Sequence, residues 1–223
     1  MKKACAEAAL KYIKNYTIIG LGGGSTISYL IEFIKEAGLK VKVVTPSMTT
    51  AQKCIENGLE VMHTFAVDEI DIAFDGCDQI TPQLDALKSG GAIHTKEKII
   101  ATMAKDYILL VDQTKVIEEL NLNQMPIVLE VLNEGKAYVE KCLKALGADV
   151  KMRASSAKDG YTISDHGHLI MEAYFKGKVD LHALNEALLH LCGVVDTSLF
   201  YQIATKAIVV SESGITVMER KGV

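Results

Sequence analysis

The chain has no excess of basic residues. Its 24 Lys and Arg stand against 28 Asp and Glu, a formal net charge of -4. Binding along a phosphate backbone needs a basic surface, so this balance argues against a general nucleic-acid partner. Cysteine is also sparse. Cys5, Cys54, Cys77, Cys142 and Cys192 are odd in number, scattered, and form neither a CxxC pair nor a zinc spacing. They fit a reducing compartment, each thiol a small apolar filler. No apolar run approaches the roughly 20 residues that a membrane helix needs. Met1-Lys2-Lys3 opens the chain, but Glu7 and Lys11 put charges into the next turns, so the apolar core of a secretory signal is lacking. A cytoplasmic protein without membrane contact is expected. Internal repeats and low-complexity linkers are absent too.

What is present reads as an ordinary globular chain. With 223 residues there is room for one large domain or two small ones. Ala6, Ala9, Leu10 and Ile13 share a helical face within residues 3–14. Thr17-Ile18-Ile19-Gly20-Leu21 is a short buried strand, and Gly22-Gly23-Gly24-Ser25-Thr26 joins it to a helix through Ile27, Leu30, Ile31 and Ile34. Further strands fall at residues 42–44, 59–62, 70–74 and 107–111, with helices at residues 49–57 and 95–105. Strands that alternate with helices imply a parallel sheet covered on both faces.

The pattern changes near Met125-Pro126. A strand at residues 127–132 and a helix at 134–146 precede strands at 149–154 and 160–164, with Lys158-Asp159-Gly160 as the turn between them. A strand at 168–175, a helix at 180–191 and a strand at 194–200 complete the segment. This β-α-β-β-(β)-α-β order fits a ferredoxin-like module. The expected class is α/β, an open and mostly parallel sheet flanked by helices, with a smaller ferredoxin-like α+β domain. The expected division is residues 1–125 with 203–223, and residues 126–202. The strand pair at 207–210 and 215–218 returns to the first domain.

The charges concentrate between Asp75 and Glu97, where a strand hands over to a loop and then a helix. In an open α/β sheet, ligands bind beyond the carboxyl ends of the strands. Asp75 and Asp78 suit proton transfer, hydroxyl binding or a metal, or simply cap a turn. Asp85 reads as a solvated charge. Lys88 before Ser89-Gly90-Gly91 suits a developing oxyanion, or plain solvent. Glu97 suits a general base, yet acidic residues are also common in a first helical turn. The Gly22–Thr26 loop fits a phosphate, or a tight turn with Ser or Thr as N-cap. His166 and His168, around Gly167, read as a polar turn. Cys77 reads as a packing residue. Pattern alone leaves each alternative open.

Taken in order, these segments resemble ribose-5-phosphate isomerase of the A type. The family pattern is a GxGTGST-like loop, DGADE, KGGGAxxxxEK and a D-x-S-K-like segment. Here it reads Gly20-Leu21-Gly22-Gly23-Gly24-Ser25-Thr26, Asp75-Gly76-Cys77-Asp78-Gln79, Lys88-Ser89-Gly90-Gly91-Ala92 through Glu97-Lys98, and Asp112-Gln113-Thr114-Lys115. The resemblance extends through Pro126–Val131 and Gly193-Val194-Val195, essentially the whole chain.

The resemblance implies an aldose–ketose isomerase of the non-oxidative pentose phosphate pathway. It would interconvert ribose 5-phosphate and ribulose 5-phosphate through an enediolate, with no cofactor and no metal. Glu97 would be the base, and Lys88 with Gly90 and Gly91 would hold the enediolate oxygen. Asp75 and Asp78 would bind sugar hydroxyls and assist ring opening. Gly23, Gly24, Ser25, Thr26, Lys115 and Lys2 would form the phosphate site, with Gly76, Cys77 and Ser89 completing the substrate-binding set. The implied partner is a small phosphosugar, and the implied assembly a homodimer or dimer of dimers.

Gly23, Gln79 and Ser89 depart from the family pattern, as does Ser164-Asp165-His166-Gly167-His168 against TDNGN. These departures keep two alternatives in view: a non-catalytic sugar-phosphate sensor, and a paralogue acting on another phosphosugar or a thioester. A turnover assay beside ligand-induced thermal stabilisation separates them.

Overall fold

The computed structural model describes residues 1–220. Residues 221–223, assigned above to the first domain, lie outside the described residues. Helix α1 (Lys2–Leu10) leads to β1 (Ile18–Leu21), α2 (Ser25–Glu36), β2 (Lys42–Val44), α3 (Met48–Glu56), β3 (Glu60–Val61) and β4 (Ile70–Asp75). Two short strands, β5 (Gln79–Ile80) and β6 (Ala86–Leu87), precede α4 (His94–Met103), which runs directly into β7 (Ala104–Asp112). Next come β8 (Ile127–Val131), α5 (Lys136–Ala145), β9 (Asp149–Met152), β10 (Ala154–Ser155), β11 (Lys158–Tyr161) and β12 (Leu169–Tyr174). The chain closes with α6 (Leu181–Leu189), β13 (Val194–Thr197), β14 (Leu199–Phe200), β15 (Lys206–Ser211) and β16 (Gly214–Glu219).

These elements form two compact units. One comprises Met1–Ala86, Lys96–Glu118 and the stretch from Gln202; the other comprises Leu87–Thr95 and Glu119–Tyr201. The first is built on a seven-stranded sheet of order β16-β15-β7-β4-β1-β2-β3, parallel except for β16. From β1 the chain moves outward to β2 and β3, then crosses to β4 on the other side of β1. That reversal makes the carboxyl ends of β1 and β4 a topological switch point, where such sheets take ligands. Ile27, Leu30, Ile31 and Ile34 on α2 are buried against Ile19, Leu21 and Phe74 of the sheet. Each such side chain contributes about 1.5–3 kcal/mol by leaving water.

The second unit carries an antiparallel sheet of order β13-β8-β12-β9. With α5 and α6 between strands, this is the split β-α-β-β-α-β arrangement. Its core joins Leu129 and Val131 of β8 to Val139 and Leu143 of α5 and Leu184 and Leu188 of α6.

Two local expectations change. The helix expected over residues 3–14 ends at Leu10, where bonds from Tyr12 to Ala9 and Ile13 to Leu10 tighten the last turn. The turn expected at Lys158-Asp159-Gly160 lies instead at Ser156-Ala157. Ser155 pairs with Lys158, so 158–160 belong to β11, and the register shift opposite Ala154 takes up Gly160.

Candidate active site

In the first unit the glycine turn leaves β1 against the end of β4. Gly22 N–H donates to the Phe74 carbonyl at 2.8 Å, and Thr50 Oγ1 donates to the Gly22 carbonyl at 2.8 Å. A Cβ on Gly22 would stand 1.9 Å from Asp75 Oδ1, so only glycine lets that carboxylate lie against the turn. The N-cap of α2 is Gly24, at φ 97° and without a side-chain cap bond. The sequence allowed a Ser or Thr cap here. Instead Ser25 begins the helix, and its first turn carries no such cap. An uncapped helix start after a glycine turn favours an anion.

Asp75 ends β4 and is buried; Glu97 is buried on the first turn of α4. Tyr107, from the middle of β7, is buried and lies within electrostatic reach of both carboxylates. Burial, then the charges of Asp75 and Glu97, push its phenol well above its ordinary range. Tyr107 therefore stays neutral. Asp75 Oδ1 accepts from Gly76 N–H at 2.7 Å. Lys115 Nζ donates to the Cys77 carbonyl at 2.6 Å, and Ile117 N–H to the Ile80 carbonyl at 2.9 Å. These bonds tie the segment after β7 to the one after β4. Asp112 caps that turn through Thr114, whose backbone bond first of all holds the carboxyl below its usual range. Asp78 is half-buried beside these groups in sequence, and Lys2 is exposed on α1.

In the second unit Lys88, Ser89, His94 and Thr95 are buried, while Gly90 and Gly91 are exposed. Lys88 Nζ lies 5.7 Å from the Phe200 ring centre, within cation–π range. Its N–H donates to the Ser198 carbonyl at 3.0 Å. The Ser89 hydroxyl donates to the Pro126 carbonyl at 2.6 Å. Thr95 Oγ1 donates to Glu130 Oε2 at 2.5 Å, at the start of α4.

Glu130 is 2% exposed and gathers further donors: Ser164 Oγ at 2.6 Å and His168 Nδ1 at 2.8 Å. Burial opposes its charge, but these hydrogen bonds outweigh burial and hold its carboxyl below the ordinary 4.5. A depressed folded value stabilises fully above the unfolded value, about 4.3, and the gain is lost as pH falls through the folded one. Glu130→Ala strands two buried hydroxyls and an imidazole. A loss of about 2–4 kcal/mol is expected in urea denaturation at pH 7. Below about pH 4.5 the gap to the parent should narrow; a constant gap would count against this account.

The sequence missed Tyr107, Thr50 and the Glu130 cluster. Only Tyr107 left a trace, a polar-tipped ring in the apolar run Tyr107–Val111. Asp85, read above as solvated, is buried. The Thr81–Asp85 turn folds it inward, and its Oδ1 accepts from Gln202 N–H at 3.0 Å. Burial pushes its carboxyl up, partly offset by Gln202 and Arg220. His166 and His168 flank a turn, as expected, and Cys77 is buried.

The same fold and similar sequences recur in known proteins. The family model described as ribose 5-phosphate isomerase A (phosphoriboisomerase A) matches residues 42–214. A ribose-5-phosphate isomerase A of Prochlorococcus marinus is 37% identical over 216 residues, covering 94% of this chain and 91% of its own. That of Pyrococcus abyssi is 36% identical over 225 residues, covering 99% and 98%. A solved D-ribose-5-phosphate isomerase in complex with phospho-erythronic acid superposes with a TM-score of 0.91 at 34% identity, covering 98% and 97%.

Proposed function

The chain belongs to the ribose 5-phosphate isomerase A family, and on that premise we propose which of its residues carry the reaction. The protein is an aldose–ketose isomerase that interconverts D-ribose 5-phosphate and D-ribulose 5-phosphate. Glu97 is the general base. It takes the C2 proton of the open-chain aldose, and the released pair forms the C1–C2 double bond as the C1 carbonyl becomes an enediolate oxygen. The C2 hydroxyl proton passes to the C1 oxygen, the same carboxyl returns its own proton to C1, and C2 is left as the ketone with C1 as a primary alcohol. Lys88, with the Gly90–Gly91 turn, stabilises the oxyanion. Asp75 and Asp78 bind sugar hydroxyls and help open the ring. The turn from Gly23 to Thr26, with Lys115 and Lys2, takes the phosphate; Gly76, Cys77 and Ser89 complete the substrate contacts.

One observation carries this reading. Asp75 and Glu97 are both buried carboxylates, and Asp75 lies against the Gly22 turn that leads into the uncapped start of α2. Two carboxylates at one place can divide hydroxyl binding from proton transfer. A relative bound to phospho-erythronic acid, a phosphorylated sugar acid, agrees with the ligand class.

The test is turnover of ribose 5-phosphate by the parent and by Lys88→Met. The parent should isomerise it. The variant's kcat should fall about 100- to 1,000-fold, the cost of removing an oxyanion donor. Saturable binding of the sugar phosphate without turnover in the parent would overturn the catalytic assignment. No helix among the described residues is long and apolar enough to cross a membrane. A cytoplasmic homodimer or dimer of dimers completes the proposal, and sedimentation velocity measures its assembly.

A further inference from the structure

Within the second unit, Arg153 comes directly after β9 and reaches two groups at once. Its Nη2 donates to the Ser89 carbonyl at 2.7 Å, and its Nε donates to Glu172 Oε1 at 2.7 Å. Both charged side chains are largely buried, at 19% and 18% exposure. Tyr174 OH secures the other carboxylate oxygen, Glu172 Oε2, at 2.9 Å. The backbone of Arg153 is pinned as well: its N–H donates to the Ile170 carbonyl at 2.9 Å, and its carbonyl accepts from Thr162 N–H at 2.8 Å. The guanidinium is thus held by a carboxylate on β12 and turns its other edge to one backbone oxygen of the Lys88–Gly91 turn.

A second set of bonds holds the same turn from another side. Ser198 accepts Lys88 N–H on its carbonyl, while its hydroxyl accepts Val128 N–H at 2.8 Å and lies 3.3 Å from Ser89 Oγ. Ser89, which replaces the family's glycine, therefore turns its hydroxyl into this unit, toward Pro126 and Ser198.

We propose that Arg153, clamped by Glu172, is a positioning residue for the isomerisation, fixing the Ser89–Gly90 peptide and so aiming the Lys88–Gly91 turn. A trans, planar peptide points its C=O and the following N–H to opposite sides. With the Ser89 oxygen held on the Arg153 side, the Gly90 N–H is committed to the other. Gly90 and Gly91 have no side chains to anchor them, so the anchor comes from outside the turn. Arginine suits this because its rigid fork serves carbonyl and carboxylate together, whereas a lysine offers one point charge. An oxyanion donor works only at its aimed position, and a displacement of about 1 Å costs up to about 100-fold in rate. This inference rests on the reading of Lys88 and its turn as the oxyanion-stabilising group.

The experiment is a double-mutant cycle on ribose 5-phosphate with Arg153→Lys, Lys88→Met and the pair. Rates are taken per folded protein, as judged by thermal melting. Arg153→Lys should lower kcat about tenfold or more, with KM within about threefold of the parent. In the Lys88→Met background the same change should have little further effect, because the group being aimed is gone. A merely structural role would lower both backgrounds by the same factor, and that result overturns the proposal. So does a kcat within about twofold of the parent in Arg153→Lys. If Lys88→Met retains parental kcat, the Lys88 reading itself fails and the inference falls with it. Should Arg153→Lys not fold, Glu172→Gln loosens the clamp while keeping the arginine, and the same criteria apply.

Discussion

Glu97→Gln should lower kcat by about 1,000-fold while leaving sugar-phosphate binding largely intact, because positioned acid–base groups contribute about 100- to 10,000-fold. The two side chains have nearly the same shape, so the buried position on the first turn of α4 is conserved. What is lost is the oxygen proposed to accept the C2 proton. Each tenfold of rate is about 1.4 kcal/mol of barrier, so the loss is about 4 kcal/mol. The loss should appear in turnover and, independently, in exchange of the C2 proton with solvent deuterium. Thermal stabilisation by ribose 5-phosphate should persist, since phosphate and hydroxyl contacts are untouched. Retention of more than a tenth of parental kcat would assign the base elsewhere. Tyr107 gives a second readout. Glu97 is one of the charges that hold its phenol protonated, so the variant's phenol should ionise more readily.

Glu97 also shows what the sequence could carry and what it could not. Its spacing from Lys88, and the order of the four motifs, were legible because each motif is contiguous. The alternation that built the parallel sheet was legible for the same reason, since periodicity is local. Tyr107 was not. Its role depends on β7 lying beside β4, and strand adjacency is a long-range fact that no window of residues contains. Asp85 failed for a related reason. A carboxylate near Pro82 in a polar loop has the composition of a surface charge, and only the return of the chain to Gln202 supplies the backbone donor that buries it. Glu130 sat in an apolar strand with nothing nearby in sequence to satisfy it. Its partners come from residues 95, 164 and 168. The hairpin at Ser156-Ala157 was displaced because Gly160 looks like a turn residue, while in the fold it absorbs a register shift.

Gly22 joins the two levels, since its identity is local and its reason is not. Its backbone has no left-handed φ that would itself demand glycine. The demand comes from Asp75, whose Oδ1, Cγ and Oδ2 would stand 1.9, 2.0 and 2.5 Å from an added Cβ. The backbone of Gly22 cannot retreat. Its N–H is bonded to the Phe74 carbonyl, its carbonyl to Thr50 Oγ1, and the preceding Leu21 is in register with Phe74. In Gly22→Ala the Asp75 carboxylate must therefore rotate away, leaving its contact with Gly76 N–H. Forcing a methyl into such a site costs about 1–3 kcal/mol. Displacing a carboxylate proposed to hold substrate should lower kcat/KM by about 100-fold, roughly 2.7 kcal/mol of transition-state binding. A double variant separates the two effects. Asp75→Ala removes the atoms that clash, so Gly22→Ala combined with it should cost little further stability in urea denaturation. Activity should stay as low as in Asp75→Ala alone. If Gly22→Ala instead melts with the parent and keeps kcat/KM within about twofold, Asp75 has an alternative rotamer that still serves the reaction, and the close approach of turn and carboxylate is not what fixes glycine there.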